Sequence, residues 1–270
     1  MQKAYKKYFA VFVLPTLLAF TVFFIIPFIM GIVLSFCKFT TVTNARFVGF
    51  SNYIRAFSNA DFINALGFTT KFTIVSVITI NIIAFAIAYG LTRGIKGTNF
   101  FRTTFFMPNL IGGIVLGYIW QLMINAVLAN FDVTITSDAK YGFWGLVILM
   151  NWQLIGYMMI IYIAAIQNIP GELIEAAKID GATKTQTMFK VIIPMAMPSI
   201  TICLFLSLTN AFKLFDQNLA LTAGAPSRKT AGLALDIYTT FYNRNGWEGV
   251  GQAKAVVFFI IVGIVSMLQL

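Results

Sequence analysis

The chain has 270 residues, of which 59% are hydrophobic and only 10% charged, with a net charge of +10. Soluble domains carry about a quarter charged residues, so a soluble globular fold is excluded and a membrane protein is implied. Two cysteines and no histidine argue against a disulfide framework, a metal site and histidine-based acid–base catalysis.

Uncharged runs over 9–37, 72–92, 103–131, 141–171, 191–212 and 255–270 set the elements. A helix needs about 20 apolar residues to cross roughly 30 Å of hydrocarbon, and the first five runs meet that length. The sixth, AVVFFIIVGIVSMLQL, reads as a span cut short where the sequence stops. The runs are continuous rather than alternating with period two, which excludes a membrane β-barrel. The first run follows Lys3, Lys6 and Lys7 as a signal peptide would. It is too long for an h-region and lacks a small-residue cleavage site, so it reads as a retained helix. Helices are therefore predicted at about 9–37, 70–92, 103–127, 143–168, 191–213 and 254–270, in a single all-α integral membrane domain over 1–270.

The positive charges lie scattered between apolar runs, which points to lipid head groups rather than nucleic acid. With the N-terminus inside, segments 1–8, 93–102 and 172–190 carry nine basic residues. The outer segments 38–71, 132–140 and 213–254 carry ten over more than twice the length. Basic density thus favours a cytoplasmic N-terminus, and it puts 171–190 in the cytoplasm as a connection between the fourth and fifth helices.

That connection is unusual. Residues 172–190 hold Glu172, Glu175, Lys178, Asp180, Lys184 and Lys190, where a bare turn between helices needs only a few residues. PGELIEAAKIDGA reads as a short helix, with Pro170 early, Glu172 and Glu175 near its positive end, and Gly181 as a left-handed stop. A second short helix is predicted from Thr183 or Thr185, with Pro194 and Pro198 bending the entry to the fifth span. Ala176 and Ala177 would allow close approach by a partner, with Glu175 and Asp180 as charged anchors. Local physics leaves open a docking knob or an amphipathic helix resting on lipid.

Glu175-Ala176-Ala177, Asp180-Gly181-Ala182, Gln186, and Pro194 thirteen residues beyond Gly181 resemble the EAA loop of binding-protein-dependent ABC importer permeases. Thr185 and Met188 stand where the sugar branch often has Trp and Phe. The stretches 14–36, 47–72, 101–120 and 215–242 are similar to the carbohydrate branch, within it to the subfamily of the maltose permease larger subunit and the glycerol-phosphate permease. The usual Gly-Gly-Pro is here Gly224-Ala225-Pro226. The larger subunit's extra periplasmic domain and additional N-terminal helices have no counterpart. The resemblance implies a type I ABC importer permease with six transmembrane helices and a cytoplasmic coupling helix between the fourth and fifth.

The same resemblance implies the partners. They are a second homologous permease, two cytoplasmic ATPase subunits that hold ATP and Mg, and an extracytoplasmic solute-binding protein that docks at Gly224, Ala225 and Pro226. The chain itself is expected to bind no cofactor and to be no enzyme, since GxxxxGK[ST] does not occur. The cytoplasmic membrane of a prokaryote is the implied location.

Polar side chains in a span usually face the bundle interior. The candidates are Asn81, Asn109, Gln121, Asn125, Asn151, Gln153, Tyr157, Ser207 and Asn210, each of which could equally be interhelical glue. The resemblance favours Tyr157 and Leu154 on the fourth helix and Ser207 and Asn210 on the fifth as the substrate path, with Gln153 and Gln121 beside them. An aromatic ring covers the apolar face of a sugar while amides and hydroxyls meet its hydroxyl groups. The substrate is therefore expected to be a sugar, as an oligosaccharide. The rivals are a polyol phosphate or polyamine carried by the same architecture, a secondary transporter, a membrane enzyme and a scaffold subunit.

Overall fold

A computed structural model of the chain describes residues 2–268. Residues 269 and 270, predicted to end the sixth helix, lie outside the described residues. Among the described residues six helices are long and apolar enough to cross a membrane.

In chain order the helices are α1 (Gln2–Phe20), α2 (Ile26–Ser35), α3 (Ser51–Phe57), α4 (Ala60–Leu91), α5 (Thr98–Phe106), α6 (Gly113–Leu128), α7 (Ala139–Gln167), α8 (Gly171–Ile179), α9 (Lys184–Thr187), α10 (Ile193–Phe212), α11 (Asp216–Leu221), α12 (Leu233–Tyr242) and α13 (Glu248–Leu268). The structure sets several boundaries differently from the uncharged runs. The second span starts at Ala60 rather than near 70, and the sixth at Glu248 rather than 254. Counting charges missed these starts because Lys71, exposed on α4, and Lys254, buried and hydrogen-bonded on α13, lie within helices rather than at their ends. The third predicted helix, 103–127, is two elements. Pro108 lies in a 3-10 turn, Met107–Leu110, after which α6 starts at Gly113.

The first and fifth spans share one irregularity. Thr21–Ile25 and Met188–Ile192 are single π-turns, where the Ile26 N–H donates to the Thr21 carbonyl and the Ile193 N–H to the Met188 carbonyl. Each turn sits just before a proline, Pro27 or Pro194. Proline has no N–H for the regular ladder, and widening the preceding turn is one way a helix takes it in. The fifth span thereby runs unbroken over Lys184–Phe212.

Two compact units can be described. One comprises the chain up to Phe62 with Ile237–Ile261, the other Ile63–Asp236 with the residues from Val262 onward. In the first, α2 leads into a two-stranded antiparallel hairpin, β1 (Cys37–Lys38) and β2 (Arg46–Phe47). Asn52 on α3 holds the base of the hairpin, donating to the carbonyls of Ser35 and Cys37 at 2.9 Å each. Lys254, fully buried, donates to Thr240 Oγ1 at 2.8 Å and to Asn59 Oδ1 at 3.3 Å. Arg244 pairs with Asp61 at 2.5 Å. A buried cation needs such partners, which is how α13 carries a lysine six residues after its start at Glu248.

The second unit is built round α7. Leu146, Leu149, Met158, Met159 and Tyr162 of that helix are essentially inaccessible, packed with Phe72, Ile80 and Ala84 of α4 and Cys203 of α10. The backbone of Phe105, at the end of α5, crosses α7 at Gly156, where any Cβ would fall on the Phe105 carbonyl. On α6, Gly113 and Gly117 make a flat strip against which Asp216 and Ala220 of α11 rest, as small residues do at close helix crossings.

Candidate functional site

Three arrangements in the second unit gather the residues singled out by sequence. The first is a polar cavity of about 310 Å³ lined by Asn109, Gln153, Leu154, Asn210, Asp216 and Gln217 among others. It lies between α7, the end of α10 and the start of α11. Gln217 Nε2 donates to Gln153 Oε1 at 2.7 Å, and Gln153 Nε2 reaches the Ile111 carbonyl at 3.4 Å. Lys213 also lines the cavity. Amides, both signs of charge, and the Phe215 ring therefore share one small volume, within the size range of small-molecule sites.

Of the predicted path residues, Gln153, Leu154 and Asn210 come together here. The others lie elsewhere. Tyr157 is half-buried with its ring 6.4 Å from that of Phe106. Gln121 donates to the Leu221 carbonyl at 3.0 Å and so ties α6 to α11. Ser207 is fully buried. Lys213, Phe215, Asp216 and Gln217 were not singled out as path residues, because they follow the last uncharged residue of the fifth span and read as an outer loop. The tripeptide Asp216-Gln217-Asn218 directly after Phe215 was the available sign of a polar helix turning back.

Ser207 belongs to the second arrangement, a buried hydrogen-bonded triad joining three spans. Asn81 Nδ2 on α4 donates to Ser207 Oγ on α10 at 2.8 Å, and Tyr162 OH on α7 donates to Asn81 Oδ1 at 2.6 Å. The Ser207 hydroxyl in turn donates to the Cys203 carbonyl at 2.7 Å. Every member is buried, so the spans are linked at one level by groups that would be costly to leave unpaired.

The third arrangement is the segment between α7 and α10. Helix α8 carries Glu172 in its first turn and Lys178 in its last, each at the end of the helix dipole that suits its charge. It closes with paired bonds from the Gly181 N–H to the Lys178 carbonyl (3.1 Å) and from the Ala182 N–H to the Ala177 carbonyl (2.9 Å). This closure requires a left-handed residue, and Gly181 has φ +76°. Helix α9 starts with a capping box. Thr183 Oγ1 accepts from the Gln186 N–H at 3.2 Å, and Gln186 Oε1 accepts from the Thr183 N–H at 2.8 Å. Glu175, Ala176 and Asp180 are exposed, while Ala177 and Ala182 are half-buried.

At the far end of the same unit, α11 runs into a loop held by Asn218, which is fully buried. Its Nδ2 donates to Thr222 Oγ1 (3.0 Å) and the Thr230 carbonyl (2.8 Å), while its Oδ1 accepts from the Gly232 N–H (2.8 Å). Arg228 pairs with the buried Asp236 at 2.7 Å. The loop holds Ala223, Ser227 and Arg228 at positive φ and a cis Ala225–Pro226 bond. Gly224 is buried and Ala225 and Pro226 are half-buried, leaving Ala223, Ser227 and Lys229 as the exposed tip.

Residues 82–270 match the family model described as binding-protein-dependent transport system inner membrane component. The chain belongs to that family. The permease is 44% identical to the probable starch degradation products transport system permease protein AmyD of Thermoanaerobacterium thermosulfurigenes, over 96% of this chain and 91% of that protein. It is 32% identical to the multiple sugar-binding transport system permease protein MsmF of Streptococcus mutans, over 100% of this chain and 97% of that one. Among solved structures, it superposes with TM-score 0.82 and 20% identity on a chain of the bacterial alginate ABC transporter in complex with an alginate pentasaccharide-bound periplasmic protein, covering 100% and 95% of the two chains. The fold is thus that of a six-helix type I ABC importer permease. This permease is a multi-pass membrane subunit of a transport system, not an enzyme.

Proposed function

We propose that the chain forms half of the conduit of an ATP-driven importer of oligosaccharides in the cytoplasmic membrane of a prokaryote, with its N-terminus in the cytoplasm. A second homologous permease completes the conduit. Two ATPase subunits, which hold ATP and Mg, dock on Glu175, Ala176, Ala177, Asp180, Gly181 and Ala182. A sugar-loaded binding protein docks on the opposite side, at the loop shaped by Gly224, Ala225 and Pro226, with Ser227 and Lys229 as its exposed contacts.

The cavity beside Gln153 is the observation that carries the sugar reading, taken with the starch-product and multiple-sugar names of the relatives. Amide groups at Asn109, Gln153, Asn210 and Gln217 suit hydroxyl groups, and Leu154 with Phe215 suits the apolar faces of the rings. Tyr157, beside Phe106, and Gln121, bonded to the Leu221 carbonyl, support the helices that frame that path, and Ser207 acts through helix packing. Motion of α8 reaches α10 through a short, doubly capped connection and a helix without a break. For coupling, ATP must bind one arrangement of the spans more tightly than the other.

The test is reconstitution of the assembled transporter in vesicles, with uptake of labelled starch-derived oligosaccharide measured against ATP hydrolysis. Gly181→Val places a β-branched residue at a left-handed position, which costs about 1–2 kcal/mol, and is expected to uncouple transport from ATP while leaving assembly intact. Undiminished substrate-stimulated hydrolysis in that variant would count against the coupling role. Stimulation by a polyamine- or polyol phosphate-loaded binding protein instead would replace the sugar. Uptake abolished by a protonophore but insensitive to ATP depletion would replace the mechanism.

A further inference from the structure

Next to α8 lies a pocket of about 480 Å³ lined by Arg93, Lys178 and Lys184, with the hydroxyl residues Thr92 and Thr187. Among the described residues none of these cations makes an ion pair. The Arg93 guanidinium lies over the Tyr89 ring, 4.2 Å from its centre, and donates to the Tyr89 hydroxyl. Tyr89 therefore fixes one of the three charges at the pocket wall.

Tyr89 also lines a second cavity of about 610 Å³, whose walls include Phe85, Phe189, Ile193 and Ile200. The two cavities adjoin along the chain. Thr187 and Ile192 face the basic pocket, while their neighbours Met188 and Ile193 face the apolar groove. The groove is open sideways, with Ile82 65% exposed and Phe189 59% exposed. A cluster of uncompensated positive charge thus leads directly into a hydrocarbon slot on the flank of α4 and α10.

We propose that the joined cavities bind one anionic phospholipid, with its phosphate against Arg93, Lys178 and Lys184 and an acyl chain along the groove. Basic pockets between transmembrane helices are suited to anionic head groups. The charge selects an anionic lipid over a zwitterionic one, whose own ammonium would meet the cations. The groove selects a lipid over a free phosphate, which has no apolar part to bury. The site touches α8 and α9 from the membrane side and leaves the exposed face of α8 open.

The assembled transporter, stripped of lipid in neutral detergent, is titrated with phosphatidylglycerol or phosphatidylcholine, and bound lipid is counted by native mass spectrometry. Phosphatidylglycerol is expected to bind preferentially, and Arg93→Gln with Lys184→Gln to weaken it about thirtyfold, at about fivefold per charge. Ala86→Trp, which fills the groove, should weaken it without touching the basic pocket, and serves if the charge variant fails to assemble. The proposal is overturned if the variants retain phosphatidylglycerol unchanged, or if phosphatidylcholine binds equally. It is also overturned if excess inorganic phosphate displaces the lipid from the wild type. A photo-crosslinker at Phe189 should capture lipid, and capture of another subunit of the complex would assign the groove to a protein helix and overturn it too.

Discussion

Gln217 on α11 donates to Gln153 on α7 across 2.7 Å, and both side chains line the polar cavity. The bond ties the start of the segment after α10 to the fourth span. A neutral hydrogen bond of this kind contributes about 1 kcal/mol, enough to shift a two-state equilibrium about fivefold. Gln217→Ala is expected to raise ATP hydrolysis by the reconstituted transporter without binding protein by a factor of that order. Gln153→Ala should do the same, and the double variant no more than either alone. A raised KM for sugar with unchanged basal hydrolysis would make these residues sugar contacts only.

Asn81, Tyr162 and Ser207 make a different prediction, because their bonds are buried in helix packing. Asn81→Leu removes both partners' bonds at once and is expected to destabilise the permease by about 1–3 kcal/mol. Ser207→Ala should cost less, about 1 kcal/mol, and leave the apparent affinity for sugar unchanged. Thermal unfolding of the purified complex, measured beside uptake kinetics, separates the two effects. A large rise in KM at unaltered stability would put Ser207 on the substrate path.

Gly156 tests the crossing of α7 with the end of α5. A methyl group there meets the Phe105 backbone, which has little freedom to yield. Gly156→Ala is expected to cost about 1–3 kcal/mol by overpacking, and Gly156→Leu to abolish accumulation of the assembled complex. Wild-type melting of Gly156→Ala in a thermal-shift assay would show that the crossing relaxes freely.

Asn218 offers a readout at the loop that follows α11. Asn218→Ala removes the three bonds that hold Thr222, Thr230 and the Gly232 N–H, and the left-handed residues Ala223, Ser227 and Arg228 lose their support. The expected outcome is proteolytic cleavage within 222–232 and loss of stimulation by the binding protein, with basal ATP hydrolysis retained. Full stimulation after cleavage would exclude this loop from docking.

The spans were legible because uncharged runs and a membrane's thickness set the same length. Their ends were less so. Lys71 and Lys254 look like boundaries in a charge count, yet both lie inside helices, Lys71 on an exposed face of α4 and Lys254 buried on α13 against Asn59 and Thr240. The two-part connection of α8 and α9 could be read closely, since Gly181, Thr183 and Gln186 act through local backbone bonds. The cavity was legible only in part. Gln153, Leu154 and Asn210 stand in the spans, but Asp216 and Gln217 reach it because α11 folds back onto Gly113 and Gly117. Ser207 shows the remaining ambiguity, since a polar residue in a span looks the same whether it faces a cavity or a neighbouring helix.

The π-turn at Met188–Ile192 decides how the fifth span is clocked. One surplus residue rotates everything beyond it by about 100° relative to an uninterrupted α-helix. That angle turns Cys203 and Ser207 towards α7 and α4 while Asn210 reaches the cavity. Take the surplus residue away, and the same sequence beyond Pro194 would present its polar groups to a different neighbour. The azimuth of the far half of this helix is therefore written beside α8 and α9, in a turn that does not line the polar cavity at Gln153.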